Sequence, residues 1–487
     1  MYYDNLTLLT DYYELTMMQG YYLTGRASRL VTFDLFYRRN PHGNGYAVAA
    51  GLAQAADYVE KLRFGDDEID YLQSLGSFKP EFLDYLRGFH FTGDIYAIPE
   101  GTAVFPAEPL VRVTAPIIES QLIETALLNI INHQSLIATK AARVVYAAGG
   151  DPVLEFGLRR AQGPDAGIYG ARAAIIGGCA ATSNTLCGKL FGIPVRGTHA
   201  HSWVMSFPDE LTAFREYARF YPDACTLLVD TYDTLKSGVP NAIKVFREMR
   251  EAGVKFKSYG IRLDSGDLAY LSKRARVMLD EAGFTDAVIS ASGDLDEYLI
   301  TSLKLQGAKI DIWGVGTNLV TSQDDPAFGG VYKMSAEIED DGTVVPKMKL
   351  SDNPEKITNP GVKKVIRLYD KATSKVKADL IALEHETPDV SEDLTIFDPL
   401  ATWKRMTLKG GNYTARELLV PVFVNGECVY ESPRVMDIRE YSKNELAGFW
   451  DEHKRLVNPH PLPVDLSLEL YDLKQSMIME IRSGADE

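Results

Sequence analysis

The sequence predicts an α/β chain with a parallel-stranded centre flanked on both sides by α+β segments. Three observations carry this. Short apolar runs recur at 152–157, 192–200, 225–230, 256–264, 287–293 and 309–317, with helical patterns filling the gaps. Parallel strands joined by such crossovers are right-handed and build either a barrel or an open sheet. Polar and glycine residues gather at the C-terminal ends of the runs, the rim on which barrels place their active sites. Outside roughly 150–330 the βαβ rhythm is absent.

At 487 residues the chain is long enough for two or three domains. No apolar run approaches the roughly 20 residues that span a bilayer, and Met-Tyr-Tyr-Asp-Asn carries no secretory signal. Four cysteines, at 179, 187, 225 and 428, lack zinc or disulfide spacing, so a reducing cytoplasm is the expected location. A net charge of −16 argues against nucleic acid and anionic membranes as partners. An anionic substrate therefore needs a local basic pocket.

In chain order, 2–20 reads as a helix capped at Thr10 or Asp11, with Tyr12 and Tyr13 on or near the cap. A strand at 29–37 ends on Arg38 and Arg39, and 40–45 is a turn. Helices around 51–88, short strands within 93–114 and a long helical pattern over 117–148 follow. Beyond 330, strands at 331–334, 344–350, 364–370 and 378–383 suggest a meander, and 442–484 is helical around the proline-rich break at 458–463.

The central feature is Val195-Arg-Gly-Thr-His-Ala-His-Ser202. If 192–200 is a strand, His199 and His201 share a face. Three chemistries then stay open: paired metal ligands, an acid–base or nucleophilic histidine, or two structural histidines. A histidine-rich metal cage fails, because no histidine occurs between 202 and 384. The other strand ends supply Phe156 and Arg159, Asp230 and Asp233, Arg262 with Asp264 and Asp267, Gly293 with Asp294, and Gly314 to Thr317. Helix capping explains one or two such placements, but hardly six in succession with both signs of charge. The Gly-rich ends suit a phosphate. Arg159, Arg160, Arg172, Lys140 and Arg262 can supply counter-charge, while the carboxylates at 230, 264 and 267 can hold Mg²⁺ or sugar hydroxyls. Together these describe a phosphorylated sugar bound with Mg²⁺.

Six stretches, in order, make the chain resemble the nicotinate phosphoribosyltransferases: Leu9-Thr-Asp-Tyr-Tyr-Glu-Leu-Thr-Met, Glu155-Phe-Gly-Leu-Arg-Arg-Ala-Gln-Gly163, Gly197-Thr-His-Ala-His-Ser202, Val229-Asp-Thr-Tyr-Asp233, Gly260-Ile-Arg-Leu-Asp-Ser-Gly-Asp267 and Gly314-Val-Gly-Thr317. The resemblance implies that nicotinate and phosphoribosyl pyrophosphate give nicotinate mononucleotide and pyrophosphate, with ATP hydrolysed as co-substrate, in NAD salvage. It implies an irregular TIM-like α/β barrel (121–330) and an α+β domain formed from both the N-terminal (1–120) and C-terminal (331–487) parts. It also implies a homodimer sharing its active sites.

By the same resemblance His201 becomes a phosphohistidine and acts catalytically with Asp230 and Asp264. Phe156 and Tyr13 of the partner subunit sandwich the pyridine, and Thr198 and Arg262 hold nicotinate. Gly316 and Thr317 hold the 5′-phosphate, and Arg159 faces the pyridine or the ribosyl donor. Gly293 counts among the substrate contacts, and Asp294, with Asp230 and Asp264, steers ribose and Mg²⁺. The alternatives are the related nicotinamide enzyme, quinolinate phosphoribosyltransferase, a catalytically silent homologue and a metal-assisted hydrolase. The nicotinamide enzyme's amide-reading aspartate falls, in approximate register, within 178–182, where this chain has no acid.

Overall fold

The structure is a computed structural model describing residues 5–401 and 403–484. The Tyr2–Asp4 start of the first expected helix lies outside the described residues. The chain forms two compact units: Met1–Thr139, Ala327–Pro433 and Glu440–Glu487 make the first, and Lys140–Pro326 with Arg434–Arg439 the second. The division falls inside the helix Glu124–Ala148, about two and a half turns before its end.

The second unit carries six parallel strands: β1 (Val153–Glu155), β2 (Ala181–Thr182), β3 (Ala224–Leu228), β4 (Ser258–Leu263), β5 (Val288–Ala291) and β6 (Ile312–Val315). Their order in the sheet is β2-β1-β6-β5-β4-β3. Five of the six expected apolar runs become these strands, each of which buries apolar side chains in the core. Parallel register puts every C-terminal strand end on one edge. Close approach fixes that edge: a Cβ on Gly293 would run into the Asp264 carbonyl, and Gly293 also has φ +98°.

The run at 192–200 is not a strand. Gly192, at φ +65°, ends the helix Thr185–Phe191, and only Val195 makes a parallel bridge, to Thr182. Pro194 has no N–H to donate, which leaves a one-residue contact in place of a ladder. The chain then turns, and His201 opens the short helix His201–Met205. The two-residue strand β2 has no sequence period to announce it.

The first unit joins both chain ends. Its seven-stranded antiparallel sheet runs Val344–Pro346, Gly330–Ile338, Leu30–Tyr37, Val111–Pro116, Asp94–Ala97, Val420–Val424 and Glu427–Cys428. The helices Tyr12–Leu23, Leu52–Glu60, Asp66–Ser74 and Pro80–Arg87 pack residues into its core. A second six-stranded sheet includes Lys363–Asp370, Val376–Leu383 and Val464–Leu466. Among the described residues no helix is long and apolar enough to cross a membrane.

Candidate active site

The shared C-terminal edge of the parallel sheet gathers charge around Arg262, the penultimate residue of β4. Its Nε donates to Ser292 Oγ at 2.8 Å, Nη1 to Thr198 Oγ1 at 2.9 Å and Nη2 to Asp264 Oδ1 at 2.7 Å. The guanidinium carbon lies 5.9 Å from the centre of the half-buried Phe156 ring. That ring lies over Gly314 of β6, where any side chain would collide with it. A guanidinium has five N–H donors, so three bonds leave one free on each terminal nitrogen.

Carboxylates face it. Asp264 Oδ1 also accepts from Ser292. Burial raises the Asp264 carboxyl, but Ser292, Arg262 and His201 outweigh burial and hold it below the ordinary aspartate range. Asp230 Oδ2 accepts from the Asp264 backbone N–H (2.9 Å) and the Ser265 hydroxyl (2.6 Å). Its Oδ1 is buried without a hydrogen-bond partner.

The two histidines diverge. His201 is partly exposed, with Nδ1 3.1 Å from Thr231 Oγ1 and Nε2 4.0 Å from Asp230 Oδ1 and 3.9 Å from Asp264 Oδ2. His199 is buried; its Nε2 accepts from the Leu228 N–H at 3.1 Å, and its ring packs edge-on to Tyr217 at 4.7 Å. An Nε2 that accepts leaves the proton on Nδ1, which faces the Ala200 carbonyl at 3.4 Å. Burial pushes the His199 imidazole down to about 4, with Arg262 and His201 adding to the effect against the Ala200 bond. His199 is thus held as a buried, hydrogen-bonded histidine, whereas His201 is left partly exposed beside two carboxylates.

Gly293, Asp294, Gly316 and Thr317 stand just beyond β5 and β6 on the same edge. Asp294 takes the left-handed conformation (φ +44°) and its carbonyl accepts from Asn318. Arg159 and Arg160 end a short 3₁₀ turn beyond β1 and are solvent-exposed. Tyr13 belongs to the other unit, 47% exposed on the helix Tyr12–Leu23.

Several expected contributors serve elsewhere. Lys140 is buried 2.7 Å from Glu297, which Arg143 also neutralises, so it is no counter-charge for a ligand. Arg172 is buried, 5.6 Å from the Phe191 ring centre. Asp233 and Asp267 are helix N-caps, accepting from Lys236 and Tyr270 N–H. The stretch 178–180 precedes β2 and so lies toward the opposite sheet edge, where Arg439 clamps the Gly178 and Cys179 carbonyls. Its lack of acids thus says little about substrate choice; Ser183 is the first residue past β2. Sequence reading gave no site role to Ser292, Thr231 or Ser265, although each adjoins a residue it had singled out.

Profiles described as the nicotinate phosphoribosyltransferase N-terminal domain, family and C-terminal domain match residues 8–132, 152–371 and 362–474. A nicotinate phosphoribosyltransferase of Bacillus subtilis is 49% identical over 484 residues, 99% of this chain and 97% of that one. The chain belongs to the nicotinate phosphoribosyltransferase family. The human nicotinate phosphoribosyltransferase is 33% identical, covering 96% of each chain. The crystal structure of human nicotinic acid phosphoribosyltransferase superposes with a TM-score of 0.83 at 31% identity, covering 96% of this chain and 100% of that one. Nicotinate-nucleotide pyrophosphorylase from Pyrococcus furiosus, at 22% identity and a TM-score of 0.68 over 92% of this chain and 98% of its own, shares the fold. Within the nicotinate phosphoribosyltransferase family this chain is thus a mixed α/β member, matched along nearly its whole length.

Proposed function

We propose that the strand-end site transfers the phosphoribosyl group of phosphoribosyl pyrophosphate to the ring nitrogen of nicotinate. Nicotinate mononucleotide and pyrophosphate leave, as a step of NAD salvage. Arg262 carries this reading: beside an aromatic face it keeps one free N–H on each terminal nitrogen, a fork for a carboxylate on a flat ring. An amide would set its own N–H donors against that fork, so nicotinate is preferred to nicotinamide. Phe156 stacks on the pyridine, and Thr198 holds Arg262 in place.

As pyrophosphate departs, positive charge develops at the anomeric carbon. The Asp264 and Asp230 carboxylates stabilise it while the pyridine nitrogen, already positioned, closes the new bond. Gly293 and Asp294 border the ribose, and Gly316 and Thr317 hold the 5′-phosphate with backbone N–H groups and a hydroxyl. Arg159 offers its exposed guanidinium to the donor's phosphates. Mg²⁺ fits as a substrate-borne ion: Asp230 keeps a bare Oδ1, and among the described residues no three-ligand cluster stands ready. Asp230 and Asp264 would hold it, and it would supply charge to neutralise the leaving pyrophosphate.

In the coupled half-reaction a His201 nitrogen attacks the γ-phosphorus of ATP and ADP leaves. Water later cleaves the phosphohistidine to free phosphate. The His201 ring is partly exposed, as attack requires. We read the sheet as an irregular barrel, its remaining gap bridged by the His199–Leu228 bond. We further read a cytoplasmic homodimer, in which Tyr13, beside the exposed Tyr12, serves the partner subunit's pyridine site.

The test measures nicotinate mononucleotide formation with and without ATP, beside a nicotinamide reaction. ATP should strongly raise product from nicotinate; product only from nicotinamide overturns the Arg262 reading. His201→Ala should abolish the ATP stimulation and leave slow transfer, and unchanged stimulation would remove His201 from the coupling step.

A further inference from the structure

The unit built from the chain ends contains a cavity of about 1100 Å³ that none of the strand-end residues lines. Its volume is slightly above the usual range of small-molecule sites. Two of the four lysines in its wall have buried ammonium groups. Lys363, 2% exposed, pairs with Asp34 at 2.7 Å and donates to the Gly361 carbonyl. Lys474, 4% exposed, has the neutral Asn359 side-chain oxygen at 2.8 Å and no carboxylate. Arg38 adds a buried Nε with no partner. Among the described residues Asp34 is thus the sole carboxylate paired with these three cations. Burial, then the charge of Lys363, pushes the Lys474 ammonium down to about 8. A fold does not gain by burying an ammonium without a counter-ion, so the missing charge points to a bound anion.

The rest of the cavity has a different character. Trp403, 81% exposed, presents a flat indole, and several prolines line the wall near it. Asp465, also in the wall, has its carboxyl raised to about 6 by burial and by Asp398. A flat aromatic face with carboxyl acceptors suits a ring bearing N–H donors.

We propose that this cavity is a second small-molecule site, taking a nucleoside monophosphate with its phosphate on Lys474, Lys363 and Arg38 and its base against Trp403. The proposal is independent of the phosphoribosyl-transfer reading, because it uses none of the same residues.

Calorimetric titration of the full chain with AMP, in the absence of nicotinate and phosphoribosyl pyrophosphate, tests it. AMP should bind, inorganic phosphate should compete, and Lys474→Met should weaken both by about tenfold or more. Lys474→Met should also melt no lower than the parent, since it removes an unpaired buried charge; a substantially lower melting temperature would mean the lysine is structural and overturn the assignment. Trp403→Ala, at an exposed position, should weaken AMP about tenfold and leave phosphate unchanged. Arg262→Ala should bind AMP like the parent. Absence of AMP binding at millimolar concentration overturns the proposal. So does binding that Arg262→Ala abolishes and Lys474→Met spares, and phosphate binding without AMP removes the nucleoside.

Discussion

In the unit built from the chain ends, Arg367 is fully buried and uses four of its five N–H donors, two on Asp379, one on Glu445 and one on the Ala103 carbonyl. Arg416 completes the set with two bonds to Glu445. In the inserted unit Arg262 also meets a carboxylate, yet it keeps two N–H groups free and the neighbouring Asp230 keeps a bare oxygen. Both are arginine–carboxylate clusters in partly or fully desolvated surroundings; what separates them is the carboxylates, since both oxygens of Asp379 and of Glu445 accept hydrogen bonds, although Arg416 Nε is buried without a partner, whereas Asp230 keeps a bare oxygen. A cluster whose carboxylate oxygens are all engaged holds a fold, and one with an oxygen left bare is ready for a ligand.

The largest effect should come from opening the saturated cluster. Arg367→Met leaves Asp379 buried without its cation, while Glu445 keeps Arg416, and urea unfolding should show a loss of about 3–5 kcal/mol. A loss no larger than that of a surface pair would end the contrast drawn here.

Next comes His199, the histidine that is structural although it sits among reacting groups. Its folded value of about 4 is below the ordinary 6.5, so the native state disfavours its proton. The associated stability is complete above about pH 6.5 and is lost as pH falls toward 4, about 3 kcal/mol in all. The difference in unfolding free energy between parent and His199→Asn should shrink by that order across this window; a constant difference would show that His199 does not titrate there.

Opening the unsaturated cluster should affect turnover more than folding. Arg262→Lys replaces the fork with a point charge, and kcat/KM for nicotinate should fall about a hundredfold while the melting temperature moves by only about 2 °C. Equal loss in both would make Arg262 another structural arginine. The smallest effect is expected at Asp233, beside the site in sequence but a helix cap in the structure. Asp233→Ala should lower the melting temperature slightly and leave kcat/KM unchanged.

These contrasts also mark what could be read from the residues. The strand ends were legible because Arg262, Asp264, Gly293 and Gly316 each terminate or follow an apolar run, and parallel strands bring all such ends to one edge. The pairing of His199 with His201 was not, since it assumed a strand where Pro194 permits a single bridge. Lys140 looked available because its partner Glu297 is far along the chain, and spacing carries no information about such a pair. The strands Leu394–Phe397, Arg405–Leu408 and Tyr413–Glu417 escaped notice, being short and half-exposed with weak alternation.

The strand Leu30–Tyr37 lies between Val111–Pro116 and Gly330–Ile338, so one of its two neighbours is made some three hundred residues later. During synthesis the N-terminal segment leaves the ribosome with that edge unpaired and keeps it so while the whole inserted unit is translated. The inserted unit, apart from Arg434–Arg439, is one uninterrupted stretch and can fold as it emerges. The half of the protein that begins first is therefore the last to be finished, and its waiting edge is where a nascent chain of this family is most in need of a chaperone.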